Sequence, residues 1–225
     1  AKNLLFNMMV FHSWPRSYGA DWMDANGNIT VDSDAYRTAL SMANKLFELG
    51  ATPPDSTSYE YAEANAAYSS GQVAAMVQWN AAASDLTSAQ PDTDVFAPPS
   101  GPEGRYTHIH GLGLGMNAAA TNKAGAAAFL KWLSTEEAAL AYASAGGAPG
   151  LAGSTVAKIA SDRPDLVQVG EFASTYGFVM NGGTSANALS VYEAQAKEFT
   201  GYWAGTQDLN SAMANAAKAM TELLK

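Results

Sequence analysis

Three histidines, five tryptophans and no cysteine define the chemistry open to this chain of 225 residues. His108 and His110 lie two residues apart, so on a strand both project from one face, the spacing of two metal ligands. A metal-dependent hydrolase using His108 and His110 is the enzymatic reading of the sequence. A third ligand has no local candidate, since His12 is remote and the nearest carboxylate is Glu103. A hydrogen-bonding role at a strand end explains the pair more simply. No Gly-x-Ser-x-Gly elbow, Walker lysine loop or His-Glu-x-x-His helix is present. Gly111-Leu112-Gly113-Leu114-Gly115 lacks the third glycine of a dinucleotide fingerprint, three residues after the second. Asp24, Asn26 and Asn28 fail as a calcium loop, because Gly27 falls at the fourth position rather than the sixth and no glutamate closes the loop. Without cysteine there is no disulfide, thiolate metal site or cysteine nucleophile.

The aromatic residues carry more information. Trp79 ends the apolar run from Val73 and is followed by Asn80, and Trp14 stands before Pro15. An aromatic face beside an amide suits a sugar, whose C–H faces pack on the ring while its hydroxyls take directed hydrogen bonds. Core packing is the plain alternative. It is the reading for Trp132, which lies in a helical stripe with Phe129 and Leu133.

Twelve basic residues against 21 acidic ones give a net charge of -9. That balance excludes a phosphate-neutralising surface, and with it nucleic acid as a partner. No apolar run approaches the ~20 residues needed to span a bilayer. A chain of this length fits one large domain or two unequal lobes, with ~70% of the unfolded surface buried.

The elements that must position these residues follow from periodicity and punctuation. Ala1 to Val10 reads as a helix that gives way at Pro15 to a loop containing Trp14. Trp22 to Val31 reads as a hairpin with a type I′ turn at Asn26-Gly27. Ser33 caps a helix ending at Gly50, and a second helix spans 58–70. Val73 to Trp79 suits a buried strand, Asn80 to Ser88 a helix, and the proline-rich 91–104 a loop. Tyr106 to Met116 alternates as a strand, and Asn117 leads into a helix reaching Leu133. Ser134-Thr135-Glu136-Glu137 reads as a capping box opening the next helix. Helices are expected over 154–161, 165–175, 185–203 and 208–224. The class is α/β or α+β with helix in clear excess.

The order of these segments resembles the extracellular solute-binding proteins of bacterial ABC importers. Phe11-His12-Ser13-Trp14-Pro15 is similar to that family's helix-to-loop segment with an aromatic sugar contact. Ala66 through Gly71-Gln72-Val73-Ala74-Ala75-Met76 to Trp79 resembles its "F-x-x-G-K-x-A-M" unit, the most specific of the signals. His110 to Asn117 resembles its "G-G-W-G-L-A-I" strand, Ala124 to Leu133 its "A-A-x-x-F-L-K-W-L" helix, and Gly146-Gly147-Ala148-Pro149 its "G-G-x-P" turn. The chain departs from the pattern at His110, Leu112 and Gly150-Leu151, where glycine, tryptophan and alanine-arginine are common.

The resemblance implies a helix-rich, periplasmic-binding-protein-like (type II) two-lobe fold whose first N-terminal-lobe segment precedes Ala1. Residues 1–104 and 146–225 would then belong to the C-terminal lobe, and 105–145 would cross to the other. The implied function is capture of a sugar or polyol between lobes and delivery to an ABC permease, with no catalysis and no cofactor. Trp14, Trp79 and Tyr192 are the implied stacking surfaces, with Phe11 lining the cleft and His12, Asn80 and His110 donating or accepting hydrogen bonds. The location is periplasmic or extracellular, with any lipid anchor carried by a region before Ala1. A binding module for a peptide or phosphorylated polyol is a further reading, for which Arg16 and Arg105 are the only nearby arginines.

Overall fold

A computed structural model describes residues 5–111, 113–147, 150, 157–181 and 185–224. Leu112, the Ala148-Pro149 end of the expected turn, Leu151, the start of the helix expected over 154–161 and the Gly182-Gly183 break lie outside the described residues. The chain divides into two compact units. The first comprises Ala1–Gln78, Ala97–Ile109 and Thr175–Lys225, the second Trp79–Phe96 and His110–Ser174.

Unit 1 opens with α1 (Leu5–Phe11) and the short α2 (Ser13–Ser17), separated by His12. Pro15 does not expel Trp14 from helical conformation as expected. It occupies the first turn of α2, where an amide has no intrahelical acceptor to lose. Between Trp22 and Val31 the expected type I′ turn is absent, because only Gly27 has positive φ and Asn26 does not. The Asp24 carboxylate instead gathers the backbone N–H groups of Asn26 and Asn28 at 2.8 and 2.9 Å, within a loop closed by one bridge, Met23 to Ile29. Side-chain capture of the amides has outcompeted the all-backbone turn.

Helix α3 (Asp34–Glu48) is capped by Ser33, whose hydroxyl accepts from the Tyr36 amide. Its buried face, Tyr36, Ala39, Leu40 and Ala43, follows the helical period. Helix α4 (Tyr61–Ser69) follows, ended by Gly71 with positive φ. Val73 to Trp79 forms no strand; no ladder hydrogen bonds join it to another segment among the described residues. An apolar run becomes a strand only beside a pairing edge, which periodicity cannot supply.

Loop 91–104 is anchored on α2. A Cβ at Gly101 would lie 2.5 Å from the Ser17 carbonyl, which also accepts from the Glu103 amide at 2.9 Å, so the approach requires glycine. The strand expected over 106–116 shrinks to β1 (Thr107–His108), which pairs in parallel with β2 (Gly177–Phe178).

Unit 2 contains α5 (Ala83–Ala89), α6 (Lys123–Leu133), α7 (Glu136–Ser144) and α8 (Pro164–Tyr176), the last running on into unit 1. The cap of α7 is Thr135, not Ser134; its hydroxyl accepts from the Ala138 amide at 3.3 Å. Thr135→Ala should therefore cost about 1 kcal/mol of stability, measurable as a lowered denaturation midpoint, and Ser134→Ala should cost less. Ala143, Ile159 and Leu166 form a small core that Leu140 joins. Helix α6 buries none of its residues, and Phe129 and Trp132 stack on each other while staying 56% and 42% exposed. Trp132 is therefore not core, contrary to the expectation from the helical stripe.

Unit 1 is completed by α9 (Ala188–Trp203) and α10 (Leu209–Leu223), a helical hairpin joined at Gly205, with Asp208 capping α10. Helices α1, α3 and α10 all pack on α9. Among the described residues no helix is long and apolar enough to cross a membrane.

Candidate functional site

The sequence-derived site residues fall into three environments, two in unit 1 and one in unit 2. The first is buried. His12, between α1 and α2, and Tyr192, on the inner face of α9, are 1% and 2% exposed. The His12 ring meets Trp22, Tyr192 and His108 edge-on, with centroids 5.4, 5.2 and 5.9 Å away. Its Nδ1 lies 3.3 Å from the Tyr36 hydroxyl, which also reaches Gln195 Oε1 at 3.3 Å. His108 Nδ1 faces the Met9 carbonyl at 2.9 Å, so this nitrogen carries the proton and Nε2 accepts from the Tyr192 hydroxyl at 3.4 Å. Burial, reinforced by the neighbouring His108, pushes the His12 pKa well below its ordinary value. Burial and the Asp21 carboxylate push the Tyr36 and Tyr192 phenols up. Asp21 is itself raised by burial, against the pull of the Trp22 amide and the Arg16 guanidinium, which lies 3.1 Å away. His12, Tyr36 and Tyr192 are uncharged at neutral pH. The cluster is a packed polar core that supports the surface beside it; neither His12 nor Tyr192 offers an open stacking face.

The second environment is a cavity of about 290 Å3 whose wall includes Phe11 and Trp14. Phe11 ends α1 and meets Trp203 of α9 edge-on at 4.9 Å. Trp14 donates its indole N–H to the Ala39 carbonyl of α3 at 2.8 Å.

The third lies in unit 2. Trp79 precedes a single 3-10 turn, Asn80–Ala82, that leads into α5. The Trp79 ring is half-buried, and His110 lies 5.8 Å from it at an interplanar angle of 39°. Asn80 and His110 are exposed. A flat ring beside an imidazole, with an amide next in sequence, is an arrangement that can stack on a sugar and bond its hydroxyls.

His108 and His110 are thus taken up separately, each within its own unit. Among the described residues no group of three or more histidine, aspartate, glutamate or cysteine side chains is set to hold a metal ion. Tyr36, Gln195 and Trp203 escaped the sequence reading as members of these environments. Gln195 had a signal: it is the one amide side chain in the buried row Val191, Tyr192, Gln195, Ala196 and Phe199 of α9.

Residues 3–140 match the family model described as "Bacterial extracellular solute-binding protein". No curated protein matches the chain by sequence. Among solved structures, the chain is similar to the maltose-bound MalE3 of T. maritima, with a TM-score of 0.84, 22% identity, and 95% of this chain and 56% of that one covered. It is also similar to a cyclo/maltodextrin-binding protein complexed with maltotetraose, with a TM-score of 0.71, 20% identity and coverage of 99% and 57%. A cyclic α-maltosyl-1,6-maltose binding protein from Arthrobacter globiformis gives 0.63, 18%, and 99% and 56%. The fold is that of type II periplasmic binding proteins, and the chain spans a little over half the length of these neighbours.

Proposed function

Because the chain belongs to the bacterial extracellular solute-binding protein family, we propose that it takes part in capturing a carbohydrate or polyol outside the cytoplasm and delivering it to an ABC permease. The observation that carries this reading is the half-buried Trp79 ring with His110 beside it and the Asn80 amide next in sequence. The sugars named for the structural neighbours support the same ligand class. In this reading 1–104 and 146–225 serve the C-terminal lobe and 105–145 crosses to the other. Closure is stabilised only by contacts that the ligand makes with both sides, and no bond is made or broken. Trp79 stacks, and Asn80 and His110 bond hydroxyls. A phosphorylated ligand is less well served, since Arg16 pairs with Asp21 and Arg105 lies over the Tyr176 ring.

Trp79→Ala should weaken sugar binding about tenfold or more, because an aromatic stacking face is worth roughly 1 kcal/mol beyond its buried area. Calorimetric titration with a panel of sugars and polyols, on the full product of the gene, measures this. Unchanged affinity would remove Trp79 from the site.

A further inference from the structure

Two asparagines of the chain stand directly before glycine, Asn26 before Gly27 and Asn181 before Gly182. In that dipeptide the glycine nitrogen can approach the carboxamide carbon of the asparagine, because glycine has no Cβ to obstruct it. Asn26 and Asn181 are both exposed, so access to water does not separate them. Hydrogen bonding does. Asn181 Nδ2 donates to the Met23 carbonyl at 3.0 Å and to Asp21 Oδ2 at 3.3 Å, and the Asn181 backbone carbonyl accepts from the Trp22 indole N–H. Turning that carboxamide toward the next residue would break both of its bonds. The Asn26 carboxamide has no hydrogen-bond partner among the described residues. Asp24 takes only the backbone N–H of Asn26, whereas at Asn28 it takes the backbone N–H at 2.9 Å and the side-chain amide at 2.8 Å. Gly27 has φ of 87°, and a Cβ built on it would meet nothing within 4 Å, so the attacking nitrogen is uncrowded. Its N–H donates to the Asp24 carbonyl at 3.1 Å, a bond at an exposed loop tip that the reaction must give up.

We propose that Asn26 is a modification site at which the folded chain deamidates without an enzyme. The Gly27 nitrogen attacks Cγ of Asn26, and a five-membered imide forms as the Cγ–Nδ2 bond breaks. The proton that the glycine nitrogen gives up is balanced by the one that the departing nitrogen gains as ammonia. One water molecule then opens the imide at either carbonyl, leaving aspartate or isoaspartate at position 26, and nothing is oxidised or reduced. Either product places a new carboxylate two residues from Asp24, whose own charge is favoured by its bonds to Asn28 and Asn26. Isoaspartate also inserts a methylene into the backbone between the two amides that Asp24 Oδ1 gathers, so their spacing no longer suits one oxygen. The loop inside the Met23–Ile29 bridge loosens as a result.

The test is peptide mapping by mass spectrometry of the full gene product, kept folded near neutral pH for weeks beside a guanidinium-denatured sample. In the folded sample the peptide containing Asn26 should gain about one dalton and split into aspartyl and isoaspartyl forms, roughly tenfold or more faster than Asn181 and Asn28, whose carboxamides must first leave their partners. In the denatured sample Asn26 and Asn181 should convert at comparable rates, because both precede glycine. Asn26→Gln, whose longer side chain would have to close a less favourable six-membered ring, should remove the acidic species that ion exchange resolves in the aged wild-type protein. An unchanged Asn26 peptide in the folded sample overturns the inference, as does conversion of Asn181 as fast as Asn26 there. Acidic species that accumulate in the variant at the wild-type rate also overturn it, since the reaction then lies at another residue.

Discussion

Replacing Arg163 with alanine should lower the stability of unit 2 by about 3 kcal/mol or more. The guanidinium is only 11% exposed and forms a two-point pair with Asp165, Nε to Oδ1 at 2.9 Å and Nη2 to Oδ2 at 2.7 Å. Its Nη1 also donates to the Ala143 carbonyl at 2.7 Å and the Gly147 carbonyl at 3.2 Å, where α7 ends and its last carbonyls have no helical partner. One side chain therefore ties the start of α8 to the end of α7, beside the core of Ala143, Ile159 and Leu166. Removing it leaves the shielded Asp165 carboxylate without its guanidinium donor. Hydrogen exchange across α7 should show unit 2 opening more readily, with α9 and α10 of unit 1 little changed. Arg163→Lys should recover only part of the loss, because a single ammonium cannot match both carboxylate oxygens and both carbonyls. A loss below 1 kcal/mol for the alanine variant would mean that the bridge is not what holds α7 and α8 together.

The second large effect is an acid lability centred on His12. Its pKa in the folded chain lies well below 6.5, so above that pH the ring is neutral in both states and the contribution to stability is complete. As pH falls below 6.5, the unfolded chain takes up a proton that the folded chain refuses, and stability declines by up to 1.36 kcal/mol per pH unit until the folded pKa is reached. The groups facing the ring sharpen the effect. His108, Tyr36 and Tyr192 surround it, and none is an anion at these pH values. Urea denaturation of wild-type protein and His12→Gln at pH 7, 6 and 5 reads this directly, and the variant should have the flatter dependence over that window. Parallel slopes would place the acid sensitivity in other groups. Asp24 and Asp208 do not confuse the comparison. Their pKa values are lowered by neighbouring hydrogen bonds, so what they contribute is lost only below the ordinary carboxylate range.

Most helices could be read from the sequence because helix formation is local. The Ser33 cap, the stripe from Tyr36 to Ala43 and the Asp208 start of α10 are all written within a few residues of where they act. The strands were not legible in the same way. Val73 to Trp79 has strand composition yet forms no ladder, and 106–116 keeps only two paired residues, because pairing depends on a distant segment such as Gly177–Phe178. The site divides along the same line. Trp79 with Asn80 could be picked out because the two are adjacent in sequence. The seats of His12 and Tyr192 could not, since α3, α9 and Trp22 close over them from many residues away.

The sequence by itself determined the helix-rich class, the absence of cysteine, the acidic balance of charge, and the succession of motifs that marks the family. Composition and short-range order are sufficient for these, because charge, cysteine content and helical period do not depend on how the chain is folded. Only the tertiary structure decided which of the candidate aromatics is available. It buried His12 and Tyr192, placed Trp79 beside His110, and turned the N–H of Trp14 to the Ala39 carbonyl of α3. Solvent exposure and the direction of a polar edge are set by what packs against a side chain, and in this chain those neighbours come from segments far apart in sequence.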